Sequence, residues 1–309
     1  MCAYTRSPFY RYKRNARTDY AALVPKQKMF ISKLAVVIVL YVWKGTYIEG
    51  NGWTYGDQEA WKTDPMYTCA GDRQSPIAIL DCVGNVQEGE SLVKIELDRS
   101  QIEVPISGTI KNDGHTVEFT PDQQDIVWRN HRGTYAIQRF HFHWGRDNYE
   151  GSEHTVDRRK YPMEIHFVSA KQELPVHSTI TEGDAYSVLG VMCETDSLIS
   201  GGVWDELRIP GTYRDTFTFT LTGGYAELIP SNLDYYHYEG SLTTPPCSEV
   251  VQWFVVQTPI RCPKSFVESL RLVDDSHGHN IEFNFRDIQP IGSRTVAAYT
   301  DEKRVNSRV

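Results

Sequence analysis

Residues 140–145 of the chain are Phe-His-Phe-His-Trp-Gly, an alternation of histidine with large aromatic side chains. In a β-strand alternate side chains share a face, so His141 and His143 would point to one side and the aromatic residues to the other. The two imidazoles would then lie about 7 Å apart along the strand, which is close enough to converge on one ion. The stretch therefore predicts a strand with one face in the core and, on the other, two imidazoles that a metal ion could use.

A second stretch, residues 163–168, is Met-Glu-Ile-His-Phe-Val and repeats this pattern. His166 offers a third imidazole, and Glu164 shares its face because the two residues are two positions apart. Three neutral imidazole nitrogens leave the fourth position of a zinc ion open for water, which a catalytic zinc site needs and a structural site lacks. A His-x-His pair alone occurs often by chance, so the pair by itself does not establish a metal site.

The rest of the chain predicts a mainly β protein. Apolar or alternating runs are broken by Gly, Pro, Asn and Asp, which is typical of strands, and only residues 264–273 have helical spacing. We expect strands at residues 91–96, 108–110, 116–120, 135–144, 163–170, 187–193, 216–221 and 250–257. No Gly/Ser-rich or charged linker follows residue 50, so we predict one domain over residues 45–300 and a polar tail over residues 301–309.

The first 43 residues differ from this domain. An unbroken apolar run from Leu34 to Trp43 would reach about 15 Å as a helix, roughly half a bilayer core, and is short for a membrane span. It fits the apolar centre of a secretory signal, and a true start at Met29 would place Lys33 shortly before it. We therefore expect residues 1–43 to be the leader of a secreted protein. The alternatives are an uncleaved signal anchor, which would hold the protein at a membrane, and a buried helix.

The charge of the chain argues against two classes of partner. Residues 1–43 contain eight Lys and Arg residues and one Asp, and the remainder contains 24 basic and 39 acidic residues, a formal net charge of −15. A domain of this charge repels nucleic acid and anionic membrane surfaces. We expect neither as a partner, and no stable membrane insertion of the mature domain. No feature of the sequence indicates an oligomeric state.

Further motifs surround the two histidine stretches in a fixed order. They are Trp-Thr-Tyr-Gly at 53–56, Arg-Gln-Ser-Pro-Ile at 73–77, Gly-Thr-Tyr at 133–135, Gly-Ser-Glu-His-Thr-Val-Asp at 151–157, Tyr-Glu-Gly-Ser-Leu-Thr-Thr-Pro-Pro at 238–246, Val-Gln-Trp at 251–253 and Asn-Phe-Arg at 284–286. Over roughly residues 50–298 the chain resembles the alpha-class carbonic anhydrases, in particular their extracellular members. This resemblance implies a single-domain fold with a large, twisted, mostly antiparallel sheet and a few short helices.

The resemblance also implies a function. The family hydrates carbon dioxide to bicarbonate and a proton, by attack of a zinc-bound hydroxide, and the matching positions assign Zn2+ to His141, His143 and His166. Thr243 would accept a hydrogen bond from the hydroxide and donate its own proton to Glu153, because an ionised carboxylate can only accept. Two alternatives are an inactive member kept as a binding module, which would be expected to lack a zinc histidine, and an enzyme that also serves as a matrix protein in mineral or shell.

Substrate and proton also need positions around the metal. The resemblance gives Thr244 a role in holding bicarbonate and makes His115 the proton shuttle, a role that suits a side chain whose pKa lies near neutral pH. Asp113, where the family commonly has Asn, would tend to raise the pKa of His115. The residues that match the family's apolar wall for carbon dioxide are Val168, Val188, Leu242, Val251 and Trp253. Such strand residues could equally be plain core.

One position departs from the family pattern. Two residues before the first ligand the family usually has Gln, whose carbonyl accepts the second N–H of that imidazole, whereas this chain has Arg139, which has no acceptor. Either another acceptor serves His141, or the enzyme is slower or holds zinc less firmly. Glu164 keeps its expected place beside His166.

Five cysteines follow residue 43, so one is expected to stay unpaired. Cys193 lies in an apolar, strand-like run where a thiol behaves as a small hydrophobic side chain, and is our candidate for the unpaired residue. The family resemblance implies a disulfide between Cys69 and Cys247, which matches the extracellular members. Cys82 and Cys262 could form a second bridge.

Overall fold

The computed structural model describes residues 52–80, 93–172 and 183–300. The strands in these ranges are β1 (Ala78–Ile79), β2 (Glu96–Leu97), β3 (Ile106–Asn112), β4 (Val117–Pro121), β5 (Val127–Asn130), β6 (Gly133–Trp144), β7 (Thr155–Val156), β8 (Met163–Lys171), β9 (Tyr186–Asp196), β10 (Thr216–Leu221), β11 (Tyr235–Gly240), β12 (Val251–Val256), β13 (Ile260–Pro263) and β14 (Ala297–Tyr299). The helices are α1 (Gln58–Thr63), α2 (Arg99–Ile102), α3 (Val203–Glu206) and α4 (Lys264–Leu270). The prediction of a mainly β protein with a few short helices is confirmed.

Most of the described strands belong to one large sheet. Its main path runs β10-β3-β4-β6-β8-β9-β12-β11-β14, with β13 paired to β9 and β5 linking β2 to β6. Neighbours are antiparallel except where β9 pairs with β12 and with β13, which are parallel pairs. Strands β1 and β7 form a separate parallel pair. The predicted large, mostly antiparallel sheet is therefore confirmed, with β6 and β8 near its middle.

Strands β6 and β8 separate the core from a polar face. They pair antiparallel, with His141 opposite His166. The side chains of Phe140, Phe142 and Trp144, which alternate with these histidines, are completely buried in the main apolar cluster. Because each buried aromatic side chain stabilises the fold by roughly 1.5–3 kcal/mol, the register of β6 is strongly fixed and the histidines must face the other way.

Two predicted elements differ from the structure in their bounds. A strand was expected at residues 91–96, but the described part of this segment becomes a strand only at Glu96. The Tyr235 hydroxyl explains the difference, because it donates to the carbonyl of Val93 and accepts the N–H of Ile95, so these groups bond to a side chain instead of a neighbouring strand. The predicted helix at 264–273 ends at Leu270.

The cysteine pairing corrects one expectation. Cys69 is bonded to Cys247, and Cys193 is bonded to Cys262 with their Cα atoms 6.1 Å apart. The proposal that Cys193 is unpaired, and a bridge from Cys82 to Cys262, are therefore wrong. The reason is topological: β13 lies beside β9 in parallel, which brings two distant cysteines to adjacent strands. Cys82 itself lies outside the described residues.

The predicted leader over residues 1–43 and the polar tail over residues 301–309 also lie outside the described residues. None of the described helices has the length and apolar character that spanning a membrane requires.

Candidate active site

Three histidines converge on the polar face of β6 and β8. One nitrogen from each of His141, His143 and His166 lies within 4.8 Å of the other two, and the Nε2 atoms of the first two are 3.1 Å apart. His143 and His166 are buried, and His141 is partly buried. Burial lowers the pKa of His141 and of His143, which favours the neutral imidazole that binds a metal ion. The predicted triad is brought together and could hold a metal.

Two of these imidazoles are oriented by hydrogen bonds from their second nitrogen. The Nδ1 atom of His143 lies 2.6 Å from the backbone carbonyl oxygen of Asn284, and the Nε2 atom of His166 lies 2.8 Å from Oε1 of Glu164. Both acceptors require an N–H on the ring, so the remaining nitrogens, Nε2 of His143 and Nδ1 of His166, keep free lone pairs. The Nε2 atom of His143 is the one that lies 3.1 Å from His141, and it and Nδ1 of His166 both lie within 3.9 Å of one carboxylate oxygen of Glu153.

Behind His166 lies a fully buried polar chain that sequence reasoning only partly anticipated. The two carboxylate oxygens of Glu164 accept from His166 and from the ring and backbone of His154, at 2.8–2.9 Å. The second ring nitrogen of His154 is 2.7 Å from the hydroxyl of Tyr238. Burial raises the pKa of the Glu164 carboxyl, but electrostatic attraction and hydrogen bonds from His154 and His166 hold it well below its usual value. We call His154, Glu164, His166 and Tyr238 the buried wall.

A glycine makes the buried wall possible. Gly190 on β9 lies directly opposite His166 on β8, and a Cβ atom at this position would lie 2.8 Å from Oε1 of Glu164. Any larger residue would displace the carboxylate that orients His166. Neither Gly190 nor His154 was predicted as a site residue, although His154 stands inside the Gly-Ser-Glu-His motif.

The surroundings of His141 are different. Its Nδ1 atom is buried and has no hydrogen-bond partner among the described residues. Arg139, two residues earlier, turns to Glu118, with Nε of the guanidinium 2.8 Å from a carboxylate oxygen. Glu118 lies opposite His141 across the β4–β6 pair, and a bulge separates Ile137 from Arg139. Within the described residues, therefore, no side chain replaces the expected acceptor.

Glu153 lies beside the converging nitrogens. Its Oε1 atom accepts the backbone N–H of Arg286 at 2.8 Å. Its Oε2 atom lies 3.6 Å from Nε2 of His143 and 3.9 Å from Nδ1 of His166, and has no hydrogen-bond partner among the described residues. A buried acceptor with no donor is costly and marks a place where a further donor belongs.

Thr243 is buried, and Thr244 is partly buried, in the loop between β11 and β12. This loop is tied to the first described segment at two points. Cys247 is disulfide-bonded to Cys69, and the carbonyl of Pro246 accepts from both the backbone N–H and the hydroxyl of Thr68. The predicted pair of threonines therefore lies on a fixed loop.

The residues predicted to form an apolar wall are neighbours beside His166. Val168 follows His166 on the same face of β8, Val188 lies opposite Val168, and Trp253 lies opposite Val188. The ring centroid of Trp253 is 4.8 Å from that of His166. All five predicted residues belong to the second apolar cluster: Val168, Val188, Val251 and Trp253 are buried within it, and Leu242 packs against it partly buried.

His115 lies in the turn between β3 and β4, and its ring stacks on Trp53 with centroids 3.9 Å apart. Asp113 accepts the backbone N–H of His115 at 2.8 Å. Burial lowers the pKa of His115, although the negative charges of Asp113 and Asp275 act to raise it. Asp113 thus acts in the predicted direction, but burial outweighs it. We call His115, Glu118, Arg139 and His141 the open rim.

Comparison with known proteins agrees with this arrangement. Residues 56–300 match the family model described as eukaryotic-type carbonic anhydrase. The chain belongs to this family. Carbonic anhydrase 7 of Homo sapiens is 34% identical over 268 residues, which cover 80% of this chain and 97% of that protein. Carbonic anhydrase 6 of Bos taurus is 31% identical over 265 residues, which cover 80% of each.

Membership of the carbonic anhydrases gives the reaction class. The protein is an enzyme, a carbonate dehydratase that acts on carbon dioxide and bicarbonate. The large sheet is the one that the family resemblance implied, and the three histidines lie on it where they could hold a metal.

Proposed function

We propose that the protein is an active, zinc-dependent enzyme that holds its metal through His141, His143 and His166. The observation that carries this proposal is the convergence of three imidazole nitrogens, two of them with their tautomers set by hydrogen bonds to Asn284 and Glu164. Three neutral nitrogens suit zinc and leave one coordination position open. Bound zinc supplies a nucleophile for carbon dioxide at neutral pH, an effect for which carbonic anhydrase is itself the reference case.

Thr243 and Glu153 would orient the nucleophile that attacks carbon dioxide. The hydroxyl of Thr243 has one proton, and the Oε2 atom of Glu153 is a buried acceptor without a donor among the described residues. If Thr243 donates to Glu153, its oxygen can only accept a hydrogen bond from the side of the three histidines. Thr244, the next residue on the same loop, would hold bicarbonate.

The apolar residues beside His166 would hold carbon dioxide, and His115 on the open rim would carry the proton. Carbon dioxide has no dipole, so Val168, Val188 and Trp253 can hold it beside His166 without a competing water. His115 would carry the proton outward, since a partly buried imidazole is neutral near pH 7 and can take up a proton. The stack on Trp53 would hold its ring in the turn.

We also propose that the enzyme acts outside the cell, where it would supply bicarbonate or serve mineralisation. Disulfides persist in oxidising compartments, and the described residues contain two, Cys69–Cys247 and Cys193–Cys262. The apolar run that ends at Trp43 supports a leader over residues 1–43, followed by a catalytic domain over residues 45–300 and a tail over residues 301–309. An uncleaved signal anchor is the alternative, and N-terminal sequencing of the protein from culture medium and from membranes would distinguish the two.

The test of the proposed activity is carbon dioxide hydration measured by stopped flow, with zinc content measured on the same sample. We expect hydration with about one zinc ion per chain, loss of the activity after removal of the metal by a chelator, and recovery on addition of zinc. Full activity in metal-free protein, or no activity at full zinc content, would contradict the proposal.

A further inference from the structure

A loop with two exposed histidines packs against the turn that carries His115. Residues 274–280 are Asp-Asp-Ser-His-Gly-His-Asn. The side-chain amide of Asn112, three residues before His115, donates to the backbone carbonyl of Asp274 at 2.9 Å. Two segments distant in sequence are thus held side by side at the open rim.

Asp275 organises this loop. One of its carboxylate oxygens accepts the backbone N–H groups of His277 and His279, at 2.7 and 2.9 Å. The other lies 3.8 and 3.9 Å from the Nδ1 atoms of the same two residues. Gly278 between them has φ +79°, a left-handed conformation that glycine adopts at no steric cost and that closes the turn. The backbone of both histidines is therefore held by one carboxylate, and the two imidazoles lie near it.

The same carboxylate acts on His115. The charge of Asp275 raises the pKa of His115 against the effect of burial, and the charge of Asp113 does so too. Tyr213 and Arg214, which come just before β10, also lie against this turn. A Cβ atom at Gly114 would contact the ring of Tyr213, and the N–H of Arg214 donates to the carbonyl of Asn112. The charged or titratable groups in and beside the turn are Lys111, Asp113 and Glu118 of the turn and its two strands, Tyr213, Arg214 and Asp215 before β10, and Asp274 and Asp275.

Exposure increases outward from the site. His115 is partly buried, whereas the side chains of His277 and His279 are 73% and 81% exposed. An imidazole has a ring nitrogen that can bind and release a proton, and an exposed imidazole meets solutes in solution directly. None of the motifs that identified the site includes these two histidines.

We propose that Asp275, His277 and His279 form the outer stage of the proton exit, between His115 and the buffer. The proposal rests on the proposed function. A proton leaves a ring nitrogen of His115, passes through water beside the carboxylate of Asp275 and binds a neutral imidazole of His277 or His279. A buffer base then removes it, so that every group returns to its starting protonation state.

The test is a double variant, His277→Gln with His279→Gln, in the full chain with its zinc. Hydration is measured by stopped flow in a dilute buffer that accepts protons poorly, and again in concentrated imidazole. In the dilute buffer we expect kcat to fall roughly twofold or more while kcat/KM is unchanged, because proton export follows the chemical step. Imidazole should restore kcat. His131→Gln, which removes another exposed histidine in the β5–β6 turn, is the control and should change neither parameter.

An unchanged kcat of the double variant in dilute buffer, with an active parent enzyme, would overturn this proposal and leave the proposed function intact. A loss that imidazole does not restore, or an equal loss in kcat/KM, would assign the two histidines a structural role instead. A second measurement needs no activity: Asp275→Asn should lower the pKa of His115 in an NMR titration, because a negative charge is removed. An unchanged pKa would also overturn the proposal.

Discussion

The buried wall and the open rim hold their zinc-ligand candidates in opposite ways. On the buried wall, His166 is bonded to Glu164, Glu164 to His154, and His154 to Tyr238, all without contact with solvent. On the open rim, Nδ1 of His141 has no acceptor among the described residues. Buried polar groups are costly unless each has its partner, so the wall must be complete to exist at all. The side chains of the rim are only partly buried, but the Nδ1 atom of His141 is itself buried, so its missing acceptor is a cost that an ordered water would relieve.

The largest expected effect is at His143, a candidate zinc ligand that belongs to neither the buried wall nor the open rim. His143→Ala should abolish hydration and most zinc binding while leaving the fold largely intact, because the site lies on an established sheet. Stopped-flow rates, zinc content and circular dichroism would measure these three results. His131→Ala removes an exposed histidine and serves as control. Full zinc content with near-parent activity in the His143 variant would end the metal assignment.

The next effect tests the buried wall directly. Glu164→Gln keeps the shape of the side chain but removes its charge, and the new amide nitrogen cannot accept from His166 or His154. We expect zinc to be lost to a chelator roughly 10–100-fold faster, the usual consequence of weakening such a partner. Glu118→Gln is the matched change on the open rim and should alter zinc loss much less. Equal effects at both positions would show that the two regions do not differ.

A smaller effect is expected for the proton shuttle on the open rim. His115→Ala should lower kcat about tenfold in weak buffer with kcat/KM nearly unchanged, since the shuttle acts after the chemical step. Added imidazole should restore much of the rate. Trp53→Leu removes the ring on which His115 stacks but keeps the imidazole. It therefore tests whether the position of the imidazole matters as well as its presence. Unchanged kcat in the alanine variant would show that protons leave by another route.

The sequence allowed the ligand strands to be predicted because histidine and apolar side chains alternate along them residue by residue. Phe140 and His141 belong to opposite faces of β6, and that contrast is visible in the sequence itself. The second bond of His143 could not be predicted, because its acceptor is a backbone carbonyl at Asn284, and a carbonyl is present in every residue. The irregular segment around Ile95 could not be predicted either, because its backbone N–H donates to the hydroxyl of Tyr235 and not to a neighbouring strand.

The cysteines show the same limit for longer distances. Cys193 lies in an apolar strand, which the sequence predicted, but its bond partner depends on which strand lies beside β9. A parallel neighbour can come from any later part of the chain, because parallel strands require a crossover connection. Site composition was therefore predictable where it follows from local alternation, and was not where it follows from topology.

The smallest expected effect is at Arg139. It tests whether the open rim holds its zinc ligand less firmly than the buried wall does. Arg139→Gln adds a carbonyl acceptor two residues before His141 and removes a positive charge that disfavours a cation there. It also breaks the partly exposed pair with Glu118, which is worth only about 0–1 kcal/mol, so the fold should be kept.

In a chelator competition the Arg139→Gln variant should lose zinc several-fold more slowly than the parent, up to about tenfold, in line with restoring a hydrogen bond to a ligand. Arg139→Met removes the same charge without adding an acceptor, so the difference between the two variants isolates the hydrogen bond to His141. If both variants retain zinc equally well, charge alone accounts for the effect. If the glutamine variant loses zinc as fast as the parent or faster, His141 already has an acceptor, a backbone carbonyl or an ordered water, and the open rim holds its ligand as firmly as the buried wall does.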